Sequence, residues 1–118
     1  MRLEGANFTS LNTLYITNGT KLSNRPLYVS IDAEHGVWFT GNFWVFGKLN
    51  DLNRGLLTRG YLVNNEADYC PDSSVQWKEA SDNARFILRQ QLWSTNDDID
   101  ITCNGMLIVS PFSFCFLG

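Results

Sequence analysis

The chain reads as an all-β domain: a compact antiparallel sheet, or a small barrel or sandwich, built on a β-meander. Three observations predict it. Residues 37–39 and 43–46 are aromatic and β-branched runs on either side of Thr40-Gly41-Asn42. Runs of that composition, bounded by Gly, Asn and Asp, form strands joined by tight turns. A third such run, 27–31, precedes them across Asp32-Ala33-Glu34-His35-Gly36. Beyond this centre, turn signals recur roughly every ten residues, the spacing of an all-β fold.

The elements follow in order. Residues 11–17 contain Leu14, Tyr15 and Ile16 and stop at Asn18-Gly19, a pair that accepts the positive φ of a type I′ hairpin turn. Residues 20–22 then begin the return strand. The meander comes next, centred on Tyr28, Trp38, Phe39, Trp44 and Phe46. Residues 48–55 are polar and read as a loop. Residues 56–63 resume a strand, weakened by Gly60. Residues 64–74, NNEADYCPDSS, are a long loop, 75–78 a short strand around Trp77, and 80–83 a turn or a helix start. In 84–93, Phe86, Ile87 and Leu88 favour a strand and Arg89 to Leu92 a helix; the neighbouring strands decide for strand. Asn96-Asp97-Asp98 is a turn. Residues 99–103 alternate, with Ile99, Ile101 and Cys103 on one face, as a half-buried strand does.

A length of 118 residues, without internal repeat or long linker, implies one domain with one core. The apolar fraction of 44% and charged fraction of 18% are those of a soluble globular protein. Aromatic residues make up 14% of the chain, and large rings suit the core of a small β-protein. The net charge of -3 and the scattered Lys and Arg argue against nucleic acid as a partner and against a basic membrane-binding patch. Residues 106–118 carry no charge but are too short to span a bilayer, which takes about 20 apolar residues. The domain is therefore expected over 1–105, with 106–118 an apolar tail outside it. Any membrane attachment would come through a neighbouring segment. Residues 1–5 hold no signal-peptide core, so an extracellular reading makes this sequence a module of a longer chain.

Few residues point to chemistry. His35 is the sole histidine and reads as an exposed turn residue. No nucleophile motif accompanies it. Asp97, Asp98 and Asp100 form the one tight acidic cluster, but without the glycine and closing glutamate of a calcium loop they read as a solvated hairpin turn. Glu66, Asp68 and Asp72 are loop carboxylates of the same kind. No metal site or cofactor is expected. Cys70, Cys103 and Cys115 include no C-x-x-C pair. Two readings stay open: three reduced thiols, or a Cys70–Cys103 disulfide with Cys115 left over. Asn7-Phe8-Thr9 and Asn18-Gly19-Thr20 match the N-glycosylation pattern. Trp38, Trp44, Trp77 and Trp93 are either core or a stacking platform for a sugar. Because alternate residues of a strand face opposite ways, some rings of 37–39 and 43–46 must point away from a single core. Either a second layer covers them or they form an exposed apolar patch.

The order of these motifs resembles a small extracellular β-module of large secreted or cell-surface proteins of marine invertebrates. The matching residues are Gly5-Ala6, Asn18-Gly19-Thr20, Asn24-Arg25-Pro26-Leu27-Tyr28, the aromatic strands 37–39 and 43–47, Asp68-Tyr69-Cys70-Pro71, Trp77, and Asp98-Ile99-Asp100-Ile101-Thr102-Cys103. The likeness spans about 3–103, with a longer segment than usual between Trp77 and Trp93. It implies an extracellular, disulfide-stabilised module and carries no catalytic signature. The expected function is non-catalytic recognition or adhesion, with a glycan or protein partner and Asn7 and Asn18 glycosylated. The rivals are a purely structural spacer of an ectodomain and a small hydrolase using loop carboxylates and His35.

Overall fold

Alternation along the strands sets the architecture. The structure, a computed structural model, describes residues 1–17, 19–64, 71, 76–80, 86–87 (backbone) and 93–102. The centre is the expected meander: β5 (Tyr28–Ser30), β6 (His35–Phe39) and β7 (Trp44–Lys48) pair consecutively and antiparallel. Val37 stands opposite Phe46, and Phe39 opposite Trp44. The sheet extends on both sides into seven antiparallel strands, in the order β12 (Trp93–Thr95), β10 (Lys78–Ala80), β9 (Leu62–Asn64), β7, β6, β5, β2 (Tyr15–Ile16). Beyond β2 the chain start continues the pattern. Arg2 bridges to Leu14, and β1 (Arg2–Glu4) pairs with β13 (Asp100–Thr102). The sheet is thus all-β, antiparallel and open, with no closed barrel.

The ends of this sheet are tied by polar side chains. Residues 96–99 lead from β12 at one end to β13 at the other. Asn96 donates its backbone N–H to the Trp77 carbonyl at 3.0 Å, and its side-chain amide to Gly5 O at 3.0 Å and Glu79 Oε1 at 2.7 Å. Glu79, only 3% exposed, also accepts the backbone N–H groups of Asn7 and Phe8 at 2.9 and 2.8 Å. One buried carboxylate therefore holds the N-terminal segment, β10 and the 96–99 corner together. Gly5 is required here. Its φ is +89°, and the Asp98 carbonyl occupies the space a Cβ would need.

The two faces of the sheet have separate cores. The inner face gathers Leu3, Leu11, Tyr15, Phe46, Leu62 and Trp77 with their neighbours. Its rings meet edge to face: Tyr15 with Phe46 at 5.4 Å, Phe46 with Trp77 at 5.2 Å, a geometry that the ring quadrupole favours. Burial raises the Tyr15 phenol pKa, and the nearby Asp32 charge adds to the shift. Its hydroxyl donates to Leu11 O at 2.8 Å. The outer face holds Trp38, Val45 and Val63 under Leu22, Leu27, Leu52, Leu57 and others.

Several expectations are corrected. The hairpin is not at Asn18-Gly19: β2 pairs with β5, which puts Tyr15 in the core. β3 (Lys21–Leu22) instead pairs with β4 (Arg25–Pro26). Ser23 and Asn24, at φ 53° and 65°, make that turn. The loop expected at 48–55 contains a one-turn helix, α1 (Leu49–Asn53). It stops where Gly55, at φ +79°, donates to Leu52 O and Leu56 to Asp51 O, a Schellman closure. The strand expected at 56–63 is two strands. Tyr61 separates β8 (Arg59–Gly60) from β9, and β8 pairs with β11 (Phe86–Ile87). β10 begins one residue after Trp77 rather than around it. The Asn96-Asp97-Asp98 turn is present, closed by Asp98 N–H on Asn96 Oδ1 at 2.8 Å. It is a corner and not a hairpin, since β12 and β13 pair with different strands. Cys70, Cys103, Asn18, the tail 106–118 and most of 64–74 and 84–92 lie outside the described residues.

Candidate functional site

Of the two readings of the tryptophans, core or stacking platform, the structure gives the core for Trp38, Trp44 and Trp77. Trp38 and Trp44 are 0% exposed and Trp77 is 1% exposed. Trp44 and Trp77 belong to the inner core, and Trp38 to the outer one. Trp93 is half-buried at the edge of the outer core. The physical reason is a second layer. The α1 region and the β3–β4 hairpin cover Trp38, whose indole N–H donates to Leu57 O at 2.8 Å. The ring also reaches over Gly47, where a Cβ would meet it at 2.8 Å.

His35 is likewise not an exposed turn residue. It is 5% exposed, the first residue of β6, opposite Lys48. The preceding turn closes earlier than expected. Ser30 Oγ donates to Asp32 Oδ1 at 2.6 Å, and the backbone N–H of Glu34 and of His35 donate to Asp32 Oδ1 and Ser30 Oγ. The Ser30 hydroxyl, with the Glu34 N–H, holds the exposed Asp32 carboxyl below the usual carboxylate range. The imidazole meets the rings of Phe8 at 6.0 Å and Tyr61 at 5.9 Å edge to face, and those two rings stack on each other at 4.3 Å. Neither ring nitrogen has a hydrogen-bond partner, so no carboxylate engages it as a catalytic base would require. Among the described residues no group of three His, Cys, Asp or Glu side chains is placed to hold a metal ion.

What the sheet does leave open is its outer face beyond the second layer, at the β2–β5 pair. Tyr15 and Ser30 are Cα partners and both are buried inside. Their neighbours therefore point outward. Ile16 stands opposite Val29, and Ile31 donates its N–H to Leu14 O at 3.1 Å. Side chains opposite one another in an antiparallel pair lie about 4.5–5.5 Å apart. The four aliphatic groups thus form one contiguous patch. Ile16 is 57% exposed and Ile31 62% exposed, while Leu14 and Val29 are half-buried. Exposed Arg2, the bridge partner of Leu14, and exposed Asp32, which follows Ile31, stand at its rim.

The sequence carried a signal for this patch that went unused. In Leu14-Tyr15-Ile16 and Tyr28-Val29-Ser30-Ile31 apolar residues occupy both parities of the strand. One parity makes the core, and the other requires a cover. Of the expected glycosylation positions, Asn7 is described. Its side chain is exposed, as is Thr9, while its backbone N–H is held by Glu79. Comparison of the chain with protein-family models, with characterised proteins and with solved structures finds no match.

Proposed function

We propose that this domain is a non-catalytic recognition module of an extracellular or cell-surface protein, and that it binds a protein partner through Leu14, Ile16, Val29 and Ile31. The observation that carries the reading is the exposure of two large aliphatic side chains, Ile16 at 57% and Ile31 at 62%, beside the half-buried Leu14 and Val29 on one sheet face. Single exposed hydrophobics are ordinary, whereas a contiguous group rimmed by polar residues marks an interaction surface. The aliphatic character favours protein over glycan. A sugar stacks its C–H face on aromatic rings, and among the described residues Trp38, Trp44 and Trp77 lie within the cores. A stable interface buries at least about 1,000 Å² in total. The patch is then its dry centre, with Arg2 offering an ion pair at the rim. The extracellular half of the reading is supported by the accessible Asn7 acceptor, the motif resemblance and the proposed Cys70–Cys103 disulfide.

The test is a photo-activated cross-linker placed at position 16, with position 97 as control, in an extract of the source organism. One discrete protein adduct at 16 and none at 97, competed away by unlabelled wild-type domain, is the expected result. Equal labelling at both positions, or binding confined to a glycan array, would overturn it.

A further inference from the structure

The buried imidazole of His35 is a second feature in need of a role. It lies 5% exposed in a ring-lined site with both nitrogens unpartnered. A neutral polar group buried without a hydrogen bond already costs stability, and a buried cation costs far more. The groups around it come from four segments. Asp32 and Glu34 on its own turn favour the cation, and Lys48 on β7 opposes it. Tyr61, between β8 and β9, presents its ring, and the N-terminal segment presents Phe8. Burial outweighs the two carboxylates and holds the imidazole pKa below the ordinary histidine value.

Phe8 is the movable part of this box. It is half-buried, stacks on Tyr61 at 4.3 Å, and belongs to a stretch whose only regular element is the single 3-10 turn Thr9–Leu11. The ends of the stretch are anchored, Gly5 O by the Asn96 amide and the buried Leu11 by the Tyr15 hydroxyl, while its middle is held by Asn7 and Phe8 N–H on Glu79, bonds that a local opening can break. The other ring, Tyr61, is 4% exposed and tied into the sheet through the Phe46 and Ala80 backbones. Water reaches His35 at least cost by lifting Phe8.

We propose that His35 is an acid-sensitive latch: protonation of its imidazole releases Asn7 and Phe8 from Glu79 and uncovers Tyr61. The sign follows from linkage. A histidine whose folded pKa lies below its unfolded value contributes stability that is intact above about pH 6.5 and is lost as pH falls toward and through the folded pKa. Because only the open form accepts the proton readily, acid favours that form. Opening also frees Glu79 from two backbone donors, so the corner at Asn96 loosens with it. A recognition module carrying this latch would change its N-terminal surface on entering an acidic compartment.

His35 is the only histidine, which makes the test specific. Amide hydrogen exchange of the full chain is followed at about pH 7.5 and about pH 5, corrected for intrinsic rates. The expected result is exchange of the Asn7 and Phe8 amides several-fold faster at the lower pH. The amides of β6 and β7 should stay protected. The His35→Phe variant fills the ring-lined site without a titrating group and should remove the pH response. A pH response retained in His35→Phe, or an equal loss of protection in β6 and β7, would overturn the latch. Should the variant not fold, an NMR titration of the single imidazole decides: a pKa at or above about 6.5 contradicts it.

Discussion

The two faces of the same sheet were finished differently. On the inner face every large apolar side chain contributed by β5, β6, β7 and β9 is buried. The chain start, the 3-10 turn and β13 wrap over that side and supply Leu3, Leu11 and Ile101. On the outer face the cover is partial. The α1 region and the β3–β4 hairpin close over Trp38, Val45 and Val63, and among the described residues the cover stops before β2 and β5. The apolar residues beyond that boundary remain in water. Among the described residues an exposed aliphatic surface therefore remains where the second layer ends, and Trp38, Trp44 and Trp77 are not part of it.

The largest test of this contrast is truncation of the two central tryptophans. Trp44→Ala on the inner face and Trp38→Ala on the outer should each cost about 3–5 kcal/mol, read from urea denaturation, because both rings are fully buried. A near-zero effect for Trp38 would mean that the outer layer is a loose flap, and would return that ring to the candidate surface. Next is Glu79→Gln. The amide has one oxygen where the carboxylate uses two, so its NH2 must face a donor, either Phe8 N–H or the Asn7–Asn96 pair. Destabilisation of about 2–3 kcal/mol is expected, the range for a charge-assisted bond to a buried group. A loss below that range would show that the ties closing the inner face are weaker than their geometry.

A gain is expected at Ala33. Its φ of 62° lies in the left-handed region on an exposed turn. Ala33→Gly should raise stability by about 0.5–1 kcal/mol, since the relief of the Cβ clash outweighs the added chain entropy there. Thermal melting reads it, and a loss would show that the turn is held elsewhere. The smallest expected effect is at the patch. Ile16→Ser and Ile31→Ser should each change stability by no more than about 0.5 kcal/mol, as exposed positions do. A larger loss in either would mean that the outer residues of β2 and β5 belong to the fold.

The meander was legible because its strands alternate strongly and its turns carry Gly, Asn and Asp. The register of β6 and β7 then followed from a short loop. The Asn18-Gly19 hairpin was misread because local turn chemistry was outvoted by a long-range pairing. Tyr15 gains burial beside Phe46 only if β2 lies against β5. Ser23-Asn24 was missed because non-glycine residues at positive φ give a weaker signal than Asn-Gly. The buried Glu79 and the need for glycine at position 5 were invisible, since each depends on residues about 70 or more positions away. His35 looked exposed because the turn before it was drawn too long, and the Ser30–Asp32 bond shortens it. The patch was legible in principle, from apolar residues on both parities of 14–16 and 28–31.

The most direct measurement of the proposed recognition face pairs two readouts on one protein, the Ile16→Ser/Ile31→Ser double variant. It is added as an unlabelled competitor in the position-16 cross-linking assay, and its melting temperature is recorded beside the wild type. The predicted result is a loss of competition by about tenfold or more, equivalent to roughly 1.4 kcal/mol of binding, with a melting temperature within about 4–8 °C of wild type. A double variant that melts normally and competes as well as the wild type would contradict recognition through this face.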